Sequence, residues 1–497
     1  MKSLGLSFLL GLLSATGLQP LGLWPLTILA FGGLLLLLER APSLRSALAR
    51  GWWFGMGQFV LGLNWIATAF TYQAAMPAWL GWIAVVLLSL YLSVYPAAAT
   101  GLAWRWGRAH RAALVLVLAA AWIVTEWLRG TMFTGFAWNP VGVVLIDSWA
   151  KWPARLIGTY GLSGLVILWA GLAWWAARHR KPTLGVALAL LSFLLADLRV
   201  TGSAAAPERD PARPAIRIVQ PNIPQEQRWD PVLDERNFIK MLRLTGQPDG
   251  QARLILWPEA AVPYNLHTDR LAQQLIASRI GPRDLLLTGG IEPAEPPPGA
   301  EAAEYNSLYL LGPGALVLGR YDKAHLVPYG EYLPMRPLLT ALGLSRLAPG
   351  AGDILAGPGP RTLTLPGFGR MGAQICYEIV FSGEVVDRAN RPDFLFNPSN
   401  DAWFGAWGPP QHFAQARLRA LEEGLPVVRS TPTGITGLID AEGRIVERLP
   451  AHAEGVIDTR LPPAAAATPF ARLGNLLPFA FALLLVAGAI AVRRKTR

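Results

Sequence analysis

One cysteine, one glutamate and one lysine are the residues of this 497-residue sequence best suited to acyl transfer. Cys376 is the sole cysteine and follows an apolar run. Glu259 ends a Trp-Pro-Glu segment, and Lys323 ends a Tyr-Asp-Lys segment. A thiol nucleophile, a carboxylate base and an ammonium group that stabilises negative charge are the parts of a covalent acyl-transfer site. We therefore expect these three side chains to converge.

Each of these residues also has a simpler interpretation. Most single cysteines are buried apolar side chains, and most glutamates and lysines are solvated surface charges. Here, however, all three come after apolar runs, as do Asn400 and Asp401. Chemistry in α/β sheets gathers where strands end and loops begin. The joint pattern, rather than any single residue, favours a catalytic site.

The segment that carries these residues alternates between strand-like and helical patterns. The strand-like runs are Ile216–Val219, Leu254–Trp257, Leu285–Thr288, Ser307–Leu311, Ala315–Tyr321, Met371–Ile375, Phe394–Asn397, Val427–Arg429, Gly437–Asp440 and Arg444–Leu449. The helical patterns are Asp234–Thr245, Asp269–Ile280 and Gln411–Glu423. Such alternation predicts one layered α/β domain over residues 214–465, preceded by a linker at Ala204–Pro214.

The remainder of the chain has the composition of a membrane protein. Hydrophobic residues make up 52% of the sequence, charged residues only 15%, and there are 20 tryptophans. The net charge of +11 does not indicate nucleic-acid binding, because much of the basic charge lies in short clusters between apolar runs. Such clusters are signals of membrane topology.

We predict about eight membrane spans, seven in a domain over residues 1–200 and one C-terminal helix at residues 473–492. The predicted spans are Leu4–Leu18, Leu21–Leu38, Trp52–Tyr72, Trp79–Trp104, Ala112–Leu128, Leu162–Ala177, Leu184–Ala196 and Leu473–Val492. The first also resembles a signal-peptide core, although no clear cleavage site follows it.

Basic residues in every second connection predict the orientation. They include Arg45 and Arg50 before the third span, and Arg493 and Arg494 after the last. The positive-inside rule then places both termini in the cytoplasm and residues 200–470 outside it. The loop between the fifth and sixth spans carries basic residues as well, so the pattern has one exception. A single cysteine suits an oxidising compartment.

Polar and aromatic residues inside the membrane region have two interpretations each. Asn64 and Glu126 would make contacts between helices or face a polar cavity, and contacts between helices are the commoner role. The aromatic loop Thr131–Pro140 would form an interfacial belt or a lipid entrance, and the belt is favoured.

The ordered motifs resemble the nitrilase superfamily of carbon–nitrogen hydrolases. The matching segments are Trp257-Pro-Glu259, Tyr321-Asp-Lys-Ala-His-Leu-Val-Pro-Tyr-Gly-Glu331, Ile375-Cys-Tyr-Glu378 and Asn397-Pro-Ser-Asn-Asp-Ala-Trp-Phe404. Multiple spans, an external domain and a final span narrow the resemblance to the apolipoprotein N-acyltransferase family, as does Val219-Gln-Pro-Asn-Ile-Pro224. This resemblance implies an αββα sandwich with a catalytic Glu259–Lys323–Cys376 triad.

The resemblance also implies a reaction. Cys376 would take an acyl chain from the sn-1 position of a phospholipid, typically phosphatidylethanolamine, and hold it as a thioester. The α-amine of an S-diacylglyceryl-cysteine apolipoprotein would then accept the chain. Glu259 would serve as the base, and Lys323 would stabilise first the thiolate and then the oxyanion. The enzyme would act at the periplasmic side of the bacterial inner membrane.

Further residues have roles implied by the resemblance alone. Glu331 would support Lys323, Glu378 would brace the loop after Cys376, and Tyr377 would lie beside the nucleophile. Weaker candidates for substrate binding are Trp229, Asn222, Asn400, Asp401 and Trp403. Pro432 stands where the family leads us to expect an asparagine-containing turn.

Three further interpretations remain open. The leucine-rich stretch from Leu333 to Leu344 would dip into lipid or pack in the core. Trp403, Phe404 and Trp407 would shield a thioester from water or form core contacts. The rival functions are a membrane-tethered amidase and a catalytically inactive lipid-binding protein. We expect no cofactor or metal, because the sequence contains no phosphate loop and no convincing spacing of metal-ligating histidines.

Overall fold

The computed structural model describes residues 2–72, 77–178, 212–228, 230–294, 303–341 and 354–495. Within these residues a helical region precedes a domain built from two β-sheets, and a further long helix follows that domain. This arrangement confirms the predicted fold class, an α-helical membrane region combined with an α/β domain.

The helices of the membrane region overlap the predicted apolar segments that lie within the described residues, although several bounds differ. They are α1 (Lys2–Ala15), α2 (Trp24–Glu39), α3 (Leu44–Gly62), α4 (Ile66–Ala69), α5 (Leu80–Leu92), α6 (Val94–Gly107), α7 (Arg111–Thr131) and α8 (Ala154–Arg178), with a last helix at Leu476–Arg494. By length and composition, four helical stretches of the described chain could cross a membrane: 80–107, 111–131, 154–178 and 476–494. The helices α1 and α2 are apolar but shorter.

The predicted third span is wrong at both ends. Helix α3 begins eight residues before Trp52, because Ser43 caps its first turn by accepting a hydrogen bond from the Ser46 N–H at 3.2 Å. Arg45 and Arg50 therefore lie in a helix and not in a loop, and the buried Arg50 guanidinium donates to the Leu37 carbonyl. The predicted span Leu184–Ala196 lies outside the described residues, so the count of eight spans remains a prediction.

Glu126 makes contacts between membrane elements, as the commoner interpretation predicted. One carboxylate oxygen accepts hydrogen bonds from the Val141 N–H at 2.9 Å and the Trp122 indole at 3.2 Å. The other accepts from the Ser163 hydroxyl of α8. A carboxylate with three donors joins α7, α8 and the segment between them.

Twelve strands of the described chain form two six-stranded sheets. The strands are β1 (Ala215–Gln220), β2 (Arg253–Leu256), β3 (Leu285–Ala294), β4 (Ala303–Leu311), β5 (Val317–Asp322), β6 (Thr362–Leu365), β7 (Gly369–Ala373), β8 (Phe394–Pro398), β9 (Val427–Ser430), β10 (Thr436–Ile439), β11 (Ile445–Leu449) and β12 (Gly455–Arg460). The first sheet has the order β12-β1-β2-β3-β4-β5, and the second has the order β11-β10-β9-β8-β7-β6. The central strands β1–β3 and β7–β9 run parallel.

The apolar cores follow from the side-chain alternation of these strands. Ile218, Leu256 and Leu287 of the first sheet share one buried cluster with Phe396 of the second, so this cluster lies between the sheets. The opposite face of the first sheet is covered by helices. The helices of the α/β domain are α9 (Gln225–Arg228), α10 (Asp234–Thr245), α11 (Arg270–Ala277), α12 (Arg336–Ala341), α13 (Gly408–Glu423) and α14 (Pro469–Leu473), and the last helix of the membrane region is α15. Of these, α10 and α11 pack on that face of the first sheet.

Helix α13 joins the second sheet to the membrane region. Phe413 and Ala416 share a buried cluster with residues of the second sheet, whereas Leu418 and Leu421 belong to the core of the membrane helices. Helix α13 is thus buried on more than one face, and it also buries polar side chains, among them Gln411, His412 and Arg419. The catalytic domain and the membrane region therefore share a continuous packed interface along this helix.

Candidate active site

The turn that carries Glu259 is held against strand β3. The Ala261 N–H donates to the Gly289 carbonyl at 2.9 Å, and the Gly289 N–H donates to the Pro258 carbonyl at 3.2 Å. A side chain on Gly289 would lie 2.3 Å from the Ala260 nitrogen, so only glycine permits this close approach. Ala260 adopts a φ of 45°. This tight turn directs the buried Glu259 carboxylate toward the neighbouring strands.

Lys323 lies between two carboxylates at the end of β5. Its ammonium nitrogen is 2.9 Å from Glu331 Oε1 and 3.7 Å from Glu259 Oε1. Asn306 donates to the same two oxygens, at 2.8 Å to Glu259 and 3.0 Å to Glu331. The lysine side chain is only 1% exposed. Because a buried ammonium is stable only when it is paired, these contacts explain how Lys323 can remain charged.

The electrostatics agree with that explanation. Burial lowers the pKa of Lys323, but the Glu331 and Glu259 carboxylates outweigh burial and raise the net pKa above its usual range. Lys323 is therefore an ammonium ion at neutral pH. It provides a fixed positive charge that requires no proton transfer during a reaction.

Cys376 begins a short 3₁₀ turn, Cys376–Val380, two residues after β7 ends. The predicted strand was thus too long, since Gln374 and Ile375 connect the strand to the turn. Cys376 has a φ of 52°, a left-handed conformation that is uncommon for a residue with a side chain. The residue is only 5% exposed. Strained backbone of this kind is often found at functional sites.

The thiol of Cys376 is protonated in the free site. Burial raises its pKa well above the ordinary value, and the Glu259 charge raises it further. Lys323 and the Asn400 backbone N–H lower it but do not outweigh these effects. Lys323 therefore lowers the pKa of the thiol without outweighing burial and the Glu259 charge. A base must remove the proton when the sulfur attacks. Of the two carboxylates whose charges act on the thiol, Glu259 has the larger effect and Asp401 the smaller.

Glu378 connects the segment of the lysine to the segment of the cysteine. Its Oε1 accepts hydrogen bonds from the Tyr321 hydroxyl at 2.8 Å, the Ala324 N–H at 2.7 Å and the His325 N–H at 3.1 Å. Its Oε2 accepts from the Ile375 N–H at 2.6 Å. Glu378 thus braces the residues just before Cys376 and just after Lys323, and not only the loop after the cysteine.

Tyr377 points away from the two sheets and toward the membrane region. Its ring is nearly parallel to that of Trp138, with 6.3 Å between the ring centroids. Trp138 is fully buried, and its indole donates to Gln411 at 2.8 Å. The interfacial belt predicted for the loop 131–140 is therefore wrong for Trp138, although Phe133 is 84% exposed. Part of this loop packs directly beneath the residue that follows the nucleophile.

The weaker candidates for substrate binding are in diverse environments. Asn400 binds Gln225 at 2.8 Å through its side chain. The Asp401 carboxylate is buried against Arg429 and His412. Trp403 is half-buried and meets the ring of Tyr72 edge-on.

The described contacts of Asn222 include none with the triad. Asn222 lies in a left-handed turn after β1 with a φ of 48°, and its carbonyl accepts from Lys240. Trp229 lies outside the described residues.

The leucine-rich stretch after Glu331 is partly open to its surroundings. Leu333 is buried, but Met335 is 65% exposed and Leu338 is 58% exposed. Core packing is therefore the wrong interpretation for Met335 and Leu338. Leu342 and Leu344 lie outside the described residues.

For the proposed aromatic shield, Phe404 is buried against Trp65 and Trp138, as in an ordinary core contact.

Sequence reasoning missed several polar residues near the triad. Asn306 lies within a strand and bridges Glu259 and Glu331. Arg228 is half-buried and donates to the carbonyls of Glu259 and Ala260 at 2.7 Å each. Asn306 had a signal, a polar amide inside an apolar strand, but nothing in the sequence indicated its partners. Within the described ranges no group of three His, Cys, Asp or Glu residues is arranged to hold a metal ion.

Comparisons with known proteins cover nearly the whole chain. Residues 10–172 match the apolipoprotein N-acyltransferase N-terminal domain, and residues 215–469 match the carbon-nitrogen hydrolase family. An apolipoprotein N-acyltransferase of Rhodopseudomonas palustris is 35% identical over 518 residues, which cover 99% of this chain and 95% of that protein. A protein of the same name from Bradyrhizobium diazoefficiens is 36% identical over 508 residues, covering 98% and 94%.

A solved structure is similar to part of the chain. Nit3 of Saccharomyces cerevisiae, a member of the nitrilase superfamily, is 18% identical. The match covers 50% of this chain and 90% of that one, with a TM-score of 0.36.

Proposed function

Because this chain belongs to the apolipoprotein N-acyltransferase family, it is an acyltransferase of lipoprotein maturation, and we propose that Cys376 carries the acyl group between its two substrates. The family and the apolar helices make it a membrane-associated enzyme with an apolipoprotein as acceptor. The observation that carries the proposal is the buried cluster of Glu259, Lys323 and Cys376, in which both charges act on the thiol.

In the first half-reaction the donor is a phospholipid, and phosphatidylethanolamine is the donor we propose. Glu259 takes the thiol proton of Cys376 while the sulfur attacks the sn-1 ester carbon. The negative charge that develops on the ester oxygen faces the Lys323 ammonium and the backbone N–H of Tyr377. The carbon–oxygen bond then breaks, and the lysophospholipid oxygen leaves with the proton held by Glu259. The acyl chain remains as a thioester on Cys376.

In the second half-reaction the α-amine of an S-diacylglyceryl cysteine attacks the thioester carbon. Glu259 accepts a proton from the amine and passes it to the departing Cys376 sulfur, so the carbon–sulfur bond breaks and the free thiol is restored. The new bond is an amide. Conversion of a thioester to an amide is favourable, so the sequence of steps requires no nucleotide. The result is ping-pong covalent catalysis.

We place the enzyme in the bacterial inner membrane, with the catalytic domain on the periplasmic side and both termini in the cytoplasm. The basic residues Arg493 and Arg494 in the last turn of α15 support this orientation. Reporter fusions after residue 178 and after residue 495 test it. Activity of a cytoplasmic reporter at both positions supports the orientation, whereas a reporter active only in the periplasm at residue 495 contradicts it.

The reaction is tested with the full-length protein and a phospholipid labelled in its sn-1 acyl chain. We expect label on wild-type protein and none on Cys376→Ala. Added diacylated lipopeptide should remove the label and carry it as an amide. Label lost equally fast without lipopeptide would instead indicate a hydrolase. Absence of label from wild type and variant alike would indicate an inactive lipid-binding protein.

A further inference from the structure

The carbonyl oxygen of Cys376 is held by two buried side chains that the reaction does not otherwise use. Asn397 Nδ2 donates to it at 3.2 Å, and His412 Nε2 lies 3.1 Å from it. Both side chains are completely buried. A carbonyl oxygen can only accept, so the proton of the His412 ring must be on Nε2. These two contacts hold the left-handed backbone of Cys376 in place.

Arg429 determines how both of these side chains are oriented. Its Nη2 lies 2.9 Å from His412 Nδ1, and its Nη1 donates to Asn397 Oδ1. A guanidinium can only donate. The bare ring nitrogen of His412 and the amide oxygen of Asn397 must therefore face Arg429. Their N–H groups are left to face the Cys376 carbonyl.

Asp401 supplies the charge that lets Arg429 remain buried. Its Oδ1 is 2.5 Å from Arg429 Nη2, and both side chains are completely buried. The same oxygen is 2.9 Å from His412 Nδ1. This nitrogen cannot donate to Asp401 while it accepts from Arg429, so the pair of Asp401 and Arg429 is the one that bears charge. Burial, and next the Arg429 charge, lower the pKa of His412 to about 4, which agrees with a neutral ring.

The peptide that these residues hold is the one that ends in the Tyr377 N–H. In the described part of the chain this N–H has no hydrogen-bond acceptor. Donors on the carbonyl of a peptide polarise it and strengthen its N–H as a donor. The same donors also fix the plane of the peptide, and hence the direction in which the N–H points.

We propose that Arg429, through His412 and Asn397, positions the Tyr377 N–H to stabilise the oxyanion. Arg429 and His412 are positioning residues, since neither touches the substrate. The proposal rests on the proposed function, in which Cys376 attacks an acyl carbonyl. The proposal also changes the role of Asp401, which compensates the charge of Arg429 beneath the nucleophile and does not contact the substrate.

The test compares two variants of His412 in the full-length protein. Gln places an amide N–H where the ring Nε2–H lies, whereas Leu has no donor. We expect His412→Leu to slow acylation of Cys376 by roughly 10–100-fold, somewhat less than the loss of a direct oxyanion donor. We expect His412→Gln to restore most of that rate.

Two reagents make the result specific. Acylation is measured with labelled phospholipid and with a p-nitrophenyl ester, which reports on the oxyanion even if the phospholipid is not the donor. Alkylation by iodoacetamide forms no oxyanion, so its rate should be unchanged in both variants. A wild type that reacts with the aryl ester but not with phospholipid would count against the proposed function and leave this comparison intact.

Three results would overturn the inference. The first is acylation of His412→Leu at the wild-type rate, and the second is His412→Gln as slow as His412→Leu. The third is an equal fall in acylation and alkylation. If the variants do not fold, the position of the proton on the His412 ring is determined instead. It is read from ¹⁵N spectra of the protein in which the other five histidines are replaced by glutamine. A neutral Nε2–H ring supports the inference, and a proton on Nδ1 overturns it.

Discussion

The two sheets contribute to the active site in different ways. The first sheet supplies side-chain charges: Glu259 and Lys323 lie at its strand ends, joined through Asn306 and Glu331. The second sheet supplies Cys376 and holds it through its backbone carbonyl. Changes on the first sheet should therefore alter protonation and charge. Changes on the second should alter the direction of the nucleophile and of the N–H beside it.

This difference has a physical reason. Negative charge develops on the substrate during the reaction, and a buried cation that stabilises it must itself be compensated beforehand. Three charged side chains and one amide on the first sheet meet that requirement. A nucleophile requires a defined geometry instead, and a residue with positive φ must be held by its surroundings. Neutral hydrogen bonds from His412 and Asn397 meet that requirement.

The largest expected effect comes from Glu259→Gln. Loss of a general base should slow acylation of Cys376 by about 10²–10⁴-fold. The Glu259 charge raises the pKa of Cys376, so its removal should lower that pKa and speed alkylation by iodoacetamide at pH 8. Opposite changes in the two rates distinguish a base from a structural residue.

The matched control for this variant is Glu442→Gln. Glu442 pairs with Arg444 at 2.6 Å on a partly exposed turn. Its replacement by glutamine should leave the rates of acylation and alkylation unchanged. Equal slowing of acylation and alkylation in Glu259→Gln would contradict the assignment of the base.

Glu331→Gln should have the next largest effect. Loss of the charge-assisted bond at 2.9 Å leaves Lys323 with the more distant Glu259 carboxylate at 3.7 Å, which should cost about 1–3 kcal/mol, or roughly 5–150-fold in acylation rate. Glu331 raises the pKa of Lys323, so the variant should also lose activity at a lower alkaline pH than wild type. The pH dependence of single-turnover acylation measures both effects. A profile unchanged on the alkaline side would show that Lys323 does not depend on Glu331.

Glu378→Gln should act chiefly on stability. The carboxylate accepts four hydrogen bonds, and an amide group would turn one acceptor oxygen into a donor that faces a backbone N–H. A buried mismatch of this kind costs about 1–3 kcal/mol. Thermal unfolding measures this loss of stability. The acylation rate should fall only to the extent that the variant lets the Lys323 and Cys376 segments move apart. A variant as stable as wild type would contradict the bracing role.

The last expected effect is confined to acid pH. His412 has a pKa of about 4 in the folded protein, with Arg429 and Asp401 facing its ring, and an ordinary value of 6.5 unfolded. Its contribution to stability is therefore complete above pH 6.5 and is lost as the pH falls toward 4. His412→Gln should lack this pH-dependent share, which amounts to about 3 kcal/mol by pH 4. Unfolding of both proteins between pH 7 and pH 4 measures the difference, and parallel curves would refute it.

Much of the fold could be predicted from local patterns. Helix α10 was predicted at its observed bounds, Asp234–Thr245, because its apolar residues recur with a helical period. Strands β6 and β12 were missed. The exposed residues of both interrupt the apolar run that would have indicated a strand. The early start of α3 was missed because the basic residues in its first turns resembled a loop, whereas Arg50 is buried against α2.

The site shows the same division. Glu259, Lys323 and Cys376 could be named because each follows an apolar run and each matches a motif. The partners Asn306, His412 and Arg429 could not be paired from sequence. They come from strands and helices far apart in the chain, and their roles depend on which atoms face each other.

The sequence by itself determined which residue types are available for chemistry and that the chain combines apolar helices with alternating strands and helices. These are local properties, set by composition and periodicity. Only the tertiary structure decided that Lys323 lies between Glu259 and Glu331, that Trp138 packs beneath Tyr377, and that the Cys376 carbonyl meets His412. Burial and pairing set the pKa of the thiol and the orientation of its peptide, and both arise from contacts between segments distant in sequence.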